Sequence, residues 1–300
     1  MPRPDLRWAF ARYRAIDHRL PKAQGYASVS RRLDDLTGLI ADFDGFILDA
    51  FGVLNIGATV IPGAVARVAQ IRAAGKKLVV LTNGASAPAP LTLAKYHRWG
   101  FDFTAAEVIA SRDLAAEAMA EAMAAALPGQ GVIWAAIGPQ GAPLDDLPGD
   151  VRPLDEGLLS RADGFLFLGS EDWSEARQSA LKAALHRRPR PVICANPDII
   201  APRETGFTWE PGHYACDLPG PVAFHGKPFG GALQAALRQL DLPTARVVMI
   251  GDSLHTDILG GRAAGCGTAL VAGHGFFAGQ DPQPFITATG LVPDYIAQVT

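Results

Sequence analysis

Short apolar runs alternate with segments of helical periodicity along most of the chain, and this alternation limits the fold more than any other feature. Runs such as 45–48 and 247–250 have the length and apolar character of buried strands. Segments such as 62–74 and 230–240 have the apolar spacing of helices. Strands that alternate with helices form a mostly parallel sheet with helices on both faces. The sequence therefore predicts an α/β fold built on a doubly wound parallel sheet.

The same criteria predict the other elements of the chain. The further strands are expected at 77–81, 107–110, 132–137, 165–168, 192–195 and 268–271. The further helices are expected at 90–99, from Ser111 to about Pro128, from a cap at Ser174 to about His186, and at 257–264. In such sheets, ligands bind beyond the carboxyl ends of the strands, so polar residues at those ends are the first candidates for a site.

Composition excludes several classes of partner. Of the 300 residues, 49% are apolar, which is enough for a normal core. The net charge is -3, so the chain has no excess of basic residues that would bind nucleic acid or an anionic membrane. No apolar run is long enough for a membrane span, and no secretory signal is present. The cysteines are widely spaced at 194, 216 and 266, which predicts buried reduced thiols and hence a cytoplasmic location.

The N-terminal segment 6–20 is basic and amphipathic, with Leu6, Phe10, Tyr13 and Leu20 on one side of a predicted helix. Such a helix either packs on the core or serves targeting or a membrane surface. Packing on the core is the preferred interpretation.

Four segments carry polar residues suited to phosphoryl transfer. Asp49 ends a strand in FILDAFGVLN, and Thr82 with Asn83 ends another in VVLTNGAS. HGKP at 225–228 presents Lys227, and VVMIGDSLHTDILGG at 247–261 presents Asp252 and Asp257. A carboxylate can attack phosphorus and split one difficult displacement into two. Carboxylate and phosphate repel each other, so a hard cation such as Mg²⁺, held by carboxylate oxygens, is needed between them.

These segments resemble the four motifs of the haloacid dehalogenase (HAD) superfamily, in the order LDAFGVL, LTN, GKP and GDSLHTD. IPGA at 61–64, ANPD at 195–198 and ILGGRAAG at 258–265 resemble its branch with a large class-two cap, which contains para-nitrophenylphosphatase-like, sugar-phosphate and pyridoxal-phosphate phosphatases. The resemblance spans roughly 40–275. It implies a magnesium-dependent phosphatase that hydrolyses a small phosphorylated metabolite through an aspartyl-phosphate intermediate.

The resemblance also implies a role for each matching residue. Asp49 and Lys227 are the expected catalytic residues, and Thr82, Asn83 and Lys227 are expected to hold phosphate. The expected ligands of Mg²⁺ are Asp49, the backbone carbonyl of Phe51, Asp252 and Asp257. Relatives in this branch often form dimers, so the resemblance points to a homodimer.

Motif spacing predicts where the cap is inserted. Asp49 and Thr82 are 33 positions apart, which leaves room for a turn and one helix. Thr82 and Lys227 are 145 positions apart, far more than a core connection requires. We therefore expect a Rossmann-like core at 1–103 and 221–300, with an N-terminal helical extension at 1–30, and an inserted α/β cap domain at 104–220.

One position departs from the family pattern. The first motif of the superfamily usually has a second aspartate, which protonates the leaving group and later activates water; here Phe51 occupies that position. Either Asp49 is the nucleophile and this acid/base is missing, which would slow hydrolysis, or the motif is the sequence Asp42-Phe43-Asp44-Gly45. The first interpretation is preferred because Asp49 precedes Pro62 by the spacing that the capped branch has. His255 is a minor candidate for a substitute.

Two other functions stay open at this point. DAFG resembles the DAYG of carbon–halogen hydrolases of the superfamily, which also lack the second aspartate. A phosphate-binding protein without turnover is the other alternative. The segment with Asn196 and Asp198 is expected to act as a hinge of the cap or to contact substrate.

Overall fold

The computed structural model describes residues 4–124 and 131–300. Its sixteen strands in the described residues, β1 to β16, are Arg31–Leu33, Gly45–Leu48, Asn55–Ile56, Thr59–Val60, Lys77–Thr82, Val108–Ala110, Ile133–Ile137, Asp150–Pro153, Gly164–Phe167, Val192–Cys194, Ile200–Arg203, Gly206–Trp209, Val222–Phe224, Val247–Gly251, Gly267–Val271 and Tyr295–Ala297. The α-helices in the same residues, α1 to α10, are Leu6–Ala15, Ala64–Ala73, Ala89–Arg98, Ser111–Ala124, Leu158–Arg161, Glu175–Arg187, Pro211–Ala215, Gly230–Leu240, Leu259–Ala263 and Gln283–Thr289.

The larger sheet has seven strands in the described chain, in the order β1-β16-β15-β14-β2-β5-β6. Every neighbouring pair in it is parallel. Strands β2, β5 and β14 are next to one another at its centre, and β2 and β14 are buried throughout. This confirms the predicted α/β fold with a doubly wound parallel sheet. The central strands place their carboxyl ends at one edge, where ligands bind in such folds.

A second parallel sheet has the order β13-β10-β9-β7-β8, again within the described residues. Its own core contains Phe165, Phe167 and Leu181. The sheets place the boundaries elsewhere than the predicted 104 and 220. Strand β6 pairs with β5 in the larger sheet, and β13 pairs with β10 in the smaller one. The reason is that both strands are only three residues long and lie where the chain crosses between the sheets, so the motif spacing did not locate them. The division into a core and a cap domain stays a prediction.

The strands and helices with strong apolar periodicity lie close to where they were predicted. The missed strands β1, β3, β4, β8, β11, β12, β13 and β16 are two to four residues long, and several are edges or hairpins. Such short elements do not establish a period that a sequence can reveal. The predicted end of α4 near Pro128 lies outside the described residues.

The helix predicted at 257–264 begins differently. A π-helical turn, Leu254–Ile258, comes first and is followed by α9. Ser253 caps this turn, because its side chain accepts a hydrogen bond from the Asp257 backbone N–H. The wider turn brings the Asp257 carboxylate back toward the strand end, where it accepts hydrogen bonds from the Ser253 N–H and hydroxyl at 3.1 and 2.9 Å. Asp257 therefore is not the cap of a helix, and it faces the site.

Helix α1 packs on the larger sheet's helical layer through Leu6, Phe10 and Tyr13, which are buried with Phe277. The basic N-terminal segment thus packs on the core, which was the preferred interpretation of its sequence. The Tyr13 ring stacks on His255 with centroids 4.4 Å apart, and Phe10 meets the same ring edge-on at 5.0 Å. No helix of residues 4–124 and 131–300 combines the length and apolar character that a membrane crossing needs.

We predict that Phe10→Ala lowers the free energy of unfolding by about 3 kcal/mol, because it leaves a cavity between α1 and the core. Urea denaturation measures this change. Arg7→Ala, on the exposed side of the same helix, is the control and should change stability by less than about 0.5 kcal/mol. Equal effects of the two substitutions would show that α1 does not pack as described.

Candidate active site

The central strands of the larger sheet bring the expected site residues to one edge. Asp49 directly follows β2, Asp252 directly follows β14, and Thr82 is the last residue of β5. Since β2 lies between β14 and β5, the Asp49 carboxylate lies between the other two side chains. The Asp49 side chain turns back to accept a hydrogen bond from the Ala50 N–H at 2.6 Å.

Three carboxylates form a buried cluster at this edge. Asp49, Asp252 and Asp257 each offer an oxygen, and these oxygens lie within 4.8 Å of one another. All three residues are buried, with exposed fractions of 8%, 3% and 0%. Burial, together with the charge of Asp257, raises the pKa of Asp49 to about 8 although Lys227 opposes the shift. Such a cluster of hard oxygen ligands with excess negative charge has the donor set that a divalent cation such as Mg²⁺ requires.

Glycine residues make the close approach of these carboxylates feasible. Gly52 has a φ of +78°, and a Cβ at this position would lie 2.1 Å from the Asp252 Oδ2. A Cβ at Gly275, where φ is +65°, would lie 1.8 Å from the same oxygen. The Asp252 carboxylate therefore fits in a space that two glycines leave free, and the Phe276 N–H donates to its Oδ2 at 2.8 Å.

Lys227 is the cation of the cluster. Its ammonium donates to the Asp257 Oδ1 at 2.8 Å and contacts the Asp49 Oδ1 as well. Burial alone lowers the pKa of Lys227, but the adjacent Asp257 and Asp49 carboxylates outweigh this effect and hold the pKa above its usual value. One ammonium faces three carboxylates, so the site retains negative charge that a metal ion would compensate.

Asn83 holds the lysine loop in place. Its Oδ1 accepts from the Lys227 backbone N–H at 2.7 Å, which fixes the orientation of the amide. Its Nδ2 donates to the Lys227 carbonyl at 2.9 Å and to the Asp198 Oδ1 at 2.8 Å. Gly226 allows this approach, since a Cβ there would lie 2.5 Å from the Asn83 Oδ1. Both amide hydrogens have protein acceptors, so these contacts position Lys227, and phosphate binding by Asn83 stays a prediction.

A cavity of about 130 Å³ opens from Asp49 toward the smaller sheet. Side chains near the end of the larger sheet line it together with side chains from the loops and the hairpin between 168 and 210. Those on the core side include Phe51, Thr82 and Lys95, and those on the other side include Glu171, Asn196, Asp198, Arg203 and Glu210. A ligand at Asp49 would therefore contact side chains of the core and of the predicted cap.

Asp42 and Asp44 lie at the opposite end of β2. The Asp44 carboxylate binds Lys76 at 2.9 Å and Arg246 at 2.7 Å, and these two partners lower its pKa. Asp42 faces Arg31 at 3.6 Å. A strand separates both residues from the cluster, so the geometry speaks against the register in which Asp42 is the nucleophile.

His255 is also remote from the cavity. It is buried among the Tyr13 and Phe10 rings of α1, and burial lowers its pKa to about 3. A neutral imidazole enclosed by aromatic rings has no proton to donate near neutral pH. His255 therefore does not replace the acid that position 51 lacks.

Comparison with known proteins agrees with this geometry. A family model described as haloacid dehalogenase-like hydrolase matches residues 46–140, and one described as HAD-hydrolase-like matches residues 224–298. The glycerol-3-phosphate phosphatase of Gallus gallus is 29% identical over 88% of this chain and 93% of its own length. The chain belongs to the HAD superfamily. It is a phosphatase of the branch that carries the large cap.

One solved structure supports the same assignment, and a second has the same fold. A possible sugar phosphatase of the HAD superfamily from Cytophaga hutchinsonii superposes with a TM-score of 0.76 at 26% identity, covering 89% of this chain and 97% of that one. A glycerol phosphate phosphatase from Mycobacterium tuberculosis in complex with magnesium has the same fold, with a TM-score of 0.66 at 23% identity over 86% of this chain and 75% of that one.

Phe51 occupies the position at which the resemblance to the superfamily implies an aspartate. The Phe51 ring lines the cavity and lies under the Arg203 guanidinium, whose central carbon is 5.1 Å from the ring centroid. Arg203 in turn binds Glu210 at 3.0 Å. The phenyl ring thus packs against the cap side of the site, where it can neither donate nor accept a proton.

Sequence patterns did not single out Lys95, Glu171, Arg203 or Glu210, which line the cavity. These residues lie outside the four motifs, and most belong to loops and hairpins of the cap side. The ANPD segment was the one available signal, and both Asn196 and Asp198 reach the cavity.

We predict that Gly52→Ala lowers phosphatase activity by about 100-fold, because the added methyl group displaces the Asp252 carboxylate. Gly63→Ala is a matched control: φ is +87° there, but no atom lies within 4 Å of the added Cβ. Both substitutions strain the backbone in the same way. A difference between their activities in a steady-state assay therefore reports the steric effect on Asp252. Similar losses in both would contradict this role of Gly52.

Proposed function

We propose that the protein is a magnesium-dependent phosphatase that hydrolyses a small phosphorylated metabolite through an aspartyl-phosphate on Asp49. The observation that best supports this is the position of the Asp49 carboxylate. It contacts the Lys227 ammonium, belongs to the acidic cluster, and faces the cavity between the two sheets. A carboxylate at such a position has a cation beside it and space for a phosphoryl group in front of it.

The residues of the site divide the work of phosphoryl transfer. Asp49 attacks phosphorus, and Lys227 with the Thr82 hydroxyl binds phosphate oxygens and offsets their growing charge. The Asn83 amide positions Lys227. We also propose that Asn83 contacts the phosphate. Asp49, Asp252, Asp257 and the backbone carbonyl of Phe51 would hold Mg²⁺. The bound ion would neutralise the repulsion between the carboxylate and the phosphate.

Two comparisons support magnesium and the substrate class. A structure of the same fold holds magnesium, and the acidic cluster here offers the matching oxygen donors. The curated relative acts on glycerol 3-phosphate, as its name states. Because cap side chains line the cavity, closure of the cap would exclude water and strengthen every charge interaction within the site. A homodimer, a cytoplasmic location and the lack of nucleic-acid or membrane partners stay predictions.

Position 51 affects the rate that we expect. A positioned general acid typically contributes about 10²- to 10⁴-fold, and a phenyl ring contributes none of it. Hydrolysis would be slow for esters of ordinary alcohols unless another group supplies the proton. Carbon–halogen hydrolysis, the alternative that DAFG suggested, would not use the acidic cluster, so the observed cluster favours phosphate esters.

We predict that the protein hydrolyses para-nitrophenyl phosphate only with Mg²⁺ and that Asp49→Asn abolishes turnover, because the nucleophile is lost. Release of nitrophenolate measures the rate. Asp44→Asn is the control, since its carboxylate lies at the far end of the strand in ion pairs with Lys76 and Arg246. If activity survives in Asp49→Asn and is lost in Asp44→Asn, the first motif is the segment 42–45 and not the segment that begins at Asp49.

We also predict that Mg²⁺ raises the melting temperature of the wild type but not of Asp252→Asn. A ligand at 100 times its dissociation constant adds about 2.7 kcal/mol to the free energy of unfolding. Without metal, Asp252→Asn should be the more stable protein above neutral pH, because one of three adjacent carboxylates no longer adds repulsion. An equal magnesium shift in both proteins would remove Asp252 from the ligand set.

The sign of the pH dependence follows from Asp49. Burial raises the pKa of Asp49 from 3.8 to about 8, so the folded protein binds this proton more tightly than the unfolded chain does. Burial lowers the pKa of His255, which acts in the opposite sense below pH 6.5, so the comparison is made with Asp49→Asn. We predict that the free energy of unfolding of the wild type, relative to that of Asp49→Asn, falls as pH rises through this interval and that saturating Mg²⁺ removes the decline. Denaturant titrations at several pH values, with and without Mg²⁺, test this. A wild-type stability that rises relative to Asp49→Asn between pH 5 and 8 in the absence of Mg²⁺ would contradict it.

A further inference from the structure

We propose that Asp198, in the connection from β10 to β11, is the general acid and base that replaces the aspartate missing at position 51. The proposal rests on the phosphatase function proposed above. It assigns the proton transfers of both half-reactions to a residue outside the first motif of the superfamily.

The surroundings of Asp198 fix its carboxyl group at the cavity. It lies between β10 and β11, and its backbone N–H donates to the Asn196 Oδ1 at 3.0 Å. Its Oδ1 accepts from the Asn83 Nδ2 at 2.8 Å. Asn83 is itself held by the backbone of Lys227, so one chain of hydrogen bonds relates Asp198 to the catalytic lysine. The second carboxyl oxygen lies outside that hydrogen bond, and Asp198 lines the same cavity as Asp49 and Phe51.

The other acidic side chains of the cavity wall are less suited to the task. Both oxygens of Glu210 are engaged, because Asn196 donates to Oε2 while Arg203 and Thr208 donate to Oε1. Glu171 is exposed on the loop after β9. Asp252 and Asp257 belong to the acidic cluster and do not line the cavity. Among the described residues that line the cavity, Asp198 is thus the carboxyl group that is positioned, half-buried and not already fully hydrogen-bonded.

The charges around Asp198 favour a group that can both donate and accept a proton. Burial raises the pKa of Asp198 to about 7, opposed by the Lys227 charge and the Asn83 hydrogen bond. Glu210 on the cap side and Asp257 on the core side add to the rise, and Asp49 also faces it across the cavity. From α1, the Tyr13 hydroxyl is nearby and is held un-ionised by burial and by Asp198 itself. A group with a pKa close to the working pH is best suited to acid–base catalysis.

The two half-reactions balance with this single group. In the first, an Asp49 oxygen forms a bond to phosphorus, the bond from phosphorus to the leaving oxygen breaks, and protonated Asp198 gives its proton to that oxygen. The products are the alcohol, the aspartyl-phosphate and the Asp198 carboxylate. In the second, that carboxylate takes a proton from water as the water oxygen attacks phosphorus. The bond to Asp49 breaks, inorganic phosphate is released, and Asp198 is protonated again.

The test is the kinetics of Asp198→Asn with para-nitrophenyl phosphate and with glycerol 3-phosphate, both with Mg²⁺. Nitrophenolate needs no proton to leave, so we expect a rapid release of about one equivalent per enzyme, followed by turnover about 10²- to 10⁴-fold slower than in the wild type. The burst reports an intact first step and a stalled phosphoenzyme, which acid quenching with radiolabelled phosphate would trap. Glycerol 3-phosphate should give slow turnover without a burst.

Matched variants separate catalysis from structure. Asp172→Asn makes the same change at an exposed cap residue outside the cavity. Its release of nitrophenolate should follow the same time course as that of the wild type. Asp198→Glu keeps a carboxyl group but not the shape, so it should turn over faster than the isosteric Asp198→Asn. If Asp198→Asn turns over as fast as the wild type, Asp198 is not the acid–base group. The same follows if Asp198→Asn loses both the burst and the turnover and Asp198→Glu turns over even more slowly. A wild type without turnover would instead refute the phosphatase proposal.

Discussion

The contact of the Lys227 ammonium with two buried carboxylates is the interaction on which the rest of the site depends. Lys227 is only 1% exposed, and an unpaired charge at such depth would be strongly destabilising. Asp49 and Asp257 make its burial feasible, and the lysine in turn allows two carboxylates to approach each other. Because the Lys227 backbone is hydrogen-bonded to Asn83, the position of this charge is set by the strand end of β5.

This arrangement costs stability that the fold must supply elsewhere. Three buried carboxylates and one ammonium leave uncompensated negative charge, and burial raises the pKa of both Asp49 and Asp252. Apolar packing on both faces of the larger sheet offsets this cost, with Phe46 and Ile250 on one face and Ile47 and Met249 on the other. Carboxylates held together before a ligand arrives repel one another, and the buried central strands hold them in place against this repulsion.

The sequence was sufficient for the core of the site but not for its cap side. Asp49, Thr82 and Asp252 were predictable because parallel strands in one sheet necessarily bring their carboxyl ends together. Arg203 and Glu210 were not, because they lie on a two-stranded hairpin and its exit, whose position depends on packing between two distant segments. The short edge strands and the π-helical turn before α9 were missed for a related reason: tertiary contacts, and not local periodicity, determine them.

Under the proposal that Asp198 is the acid–base group, the Phe51 ring has a structural role beside it. Its ring supports the Arg203 guanidinium, which binds Glu210, and Glu210 holds Asn196, the residue that fixes the Asp198 backbone. An aspartate at position 51 would attract Arg203 directly and compete with Glu210 for it. The phenyl ring leaves that ion pair intact and so helps to hold the Asn196–Asp198 turn at the cavity. With the proton donor on the connection that follows β10 of the smaller sheet, proton transfer would depend on the position of the cap, so that chemistry and closure would be coupled.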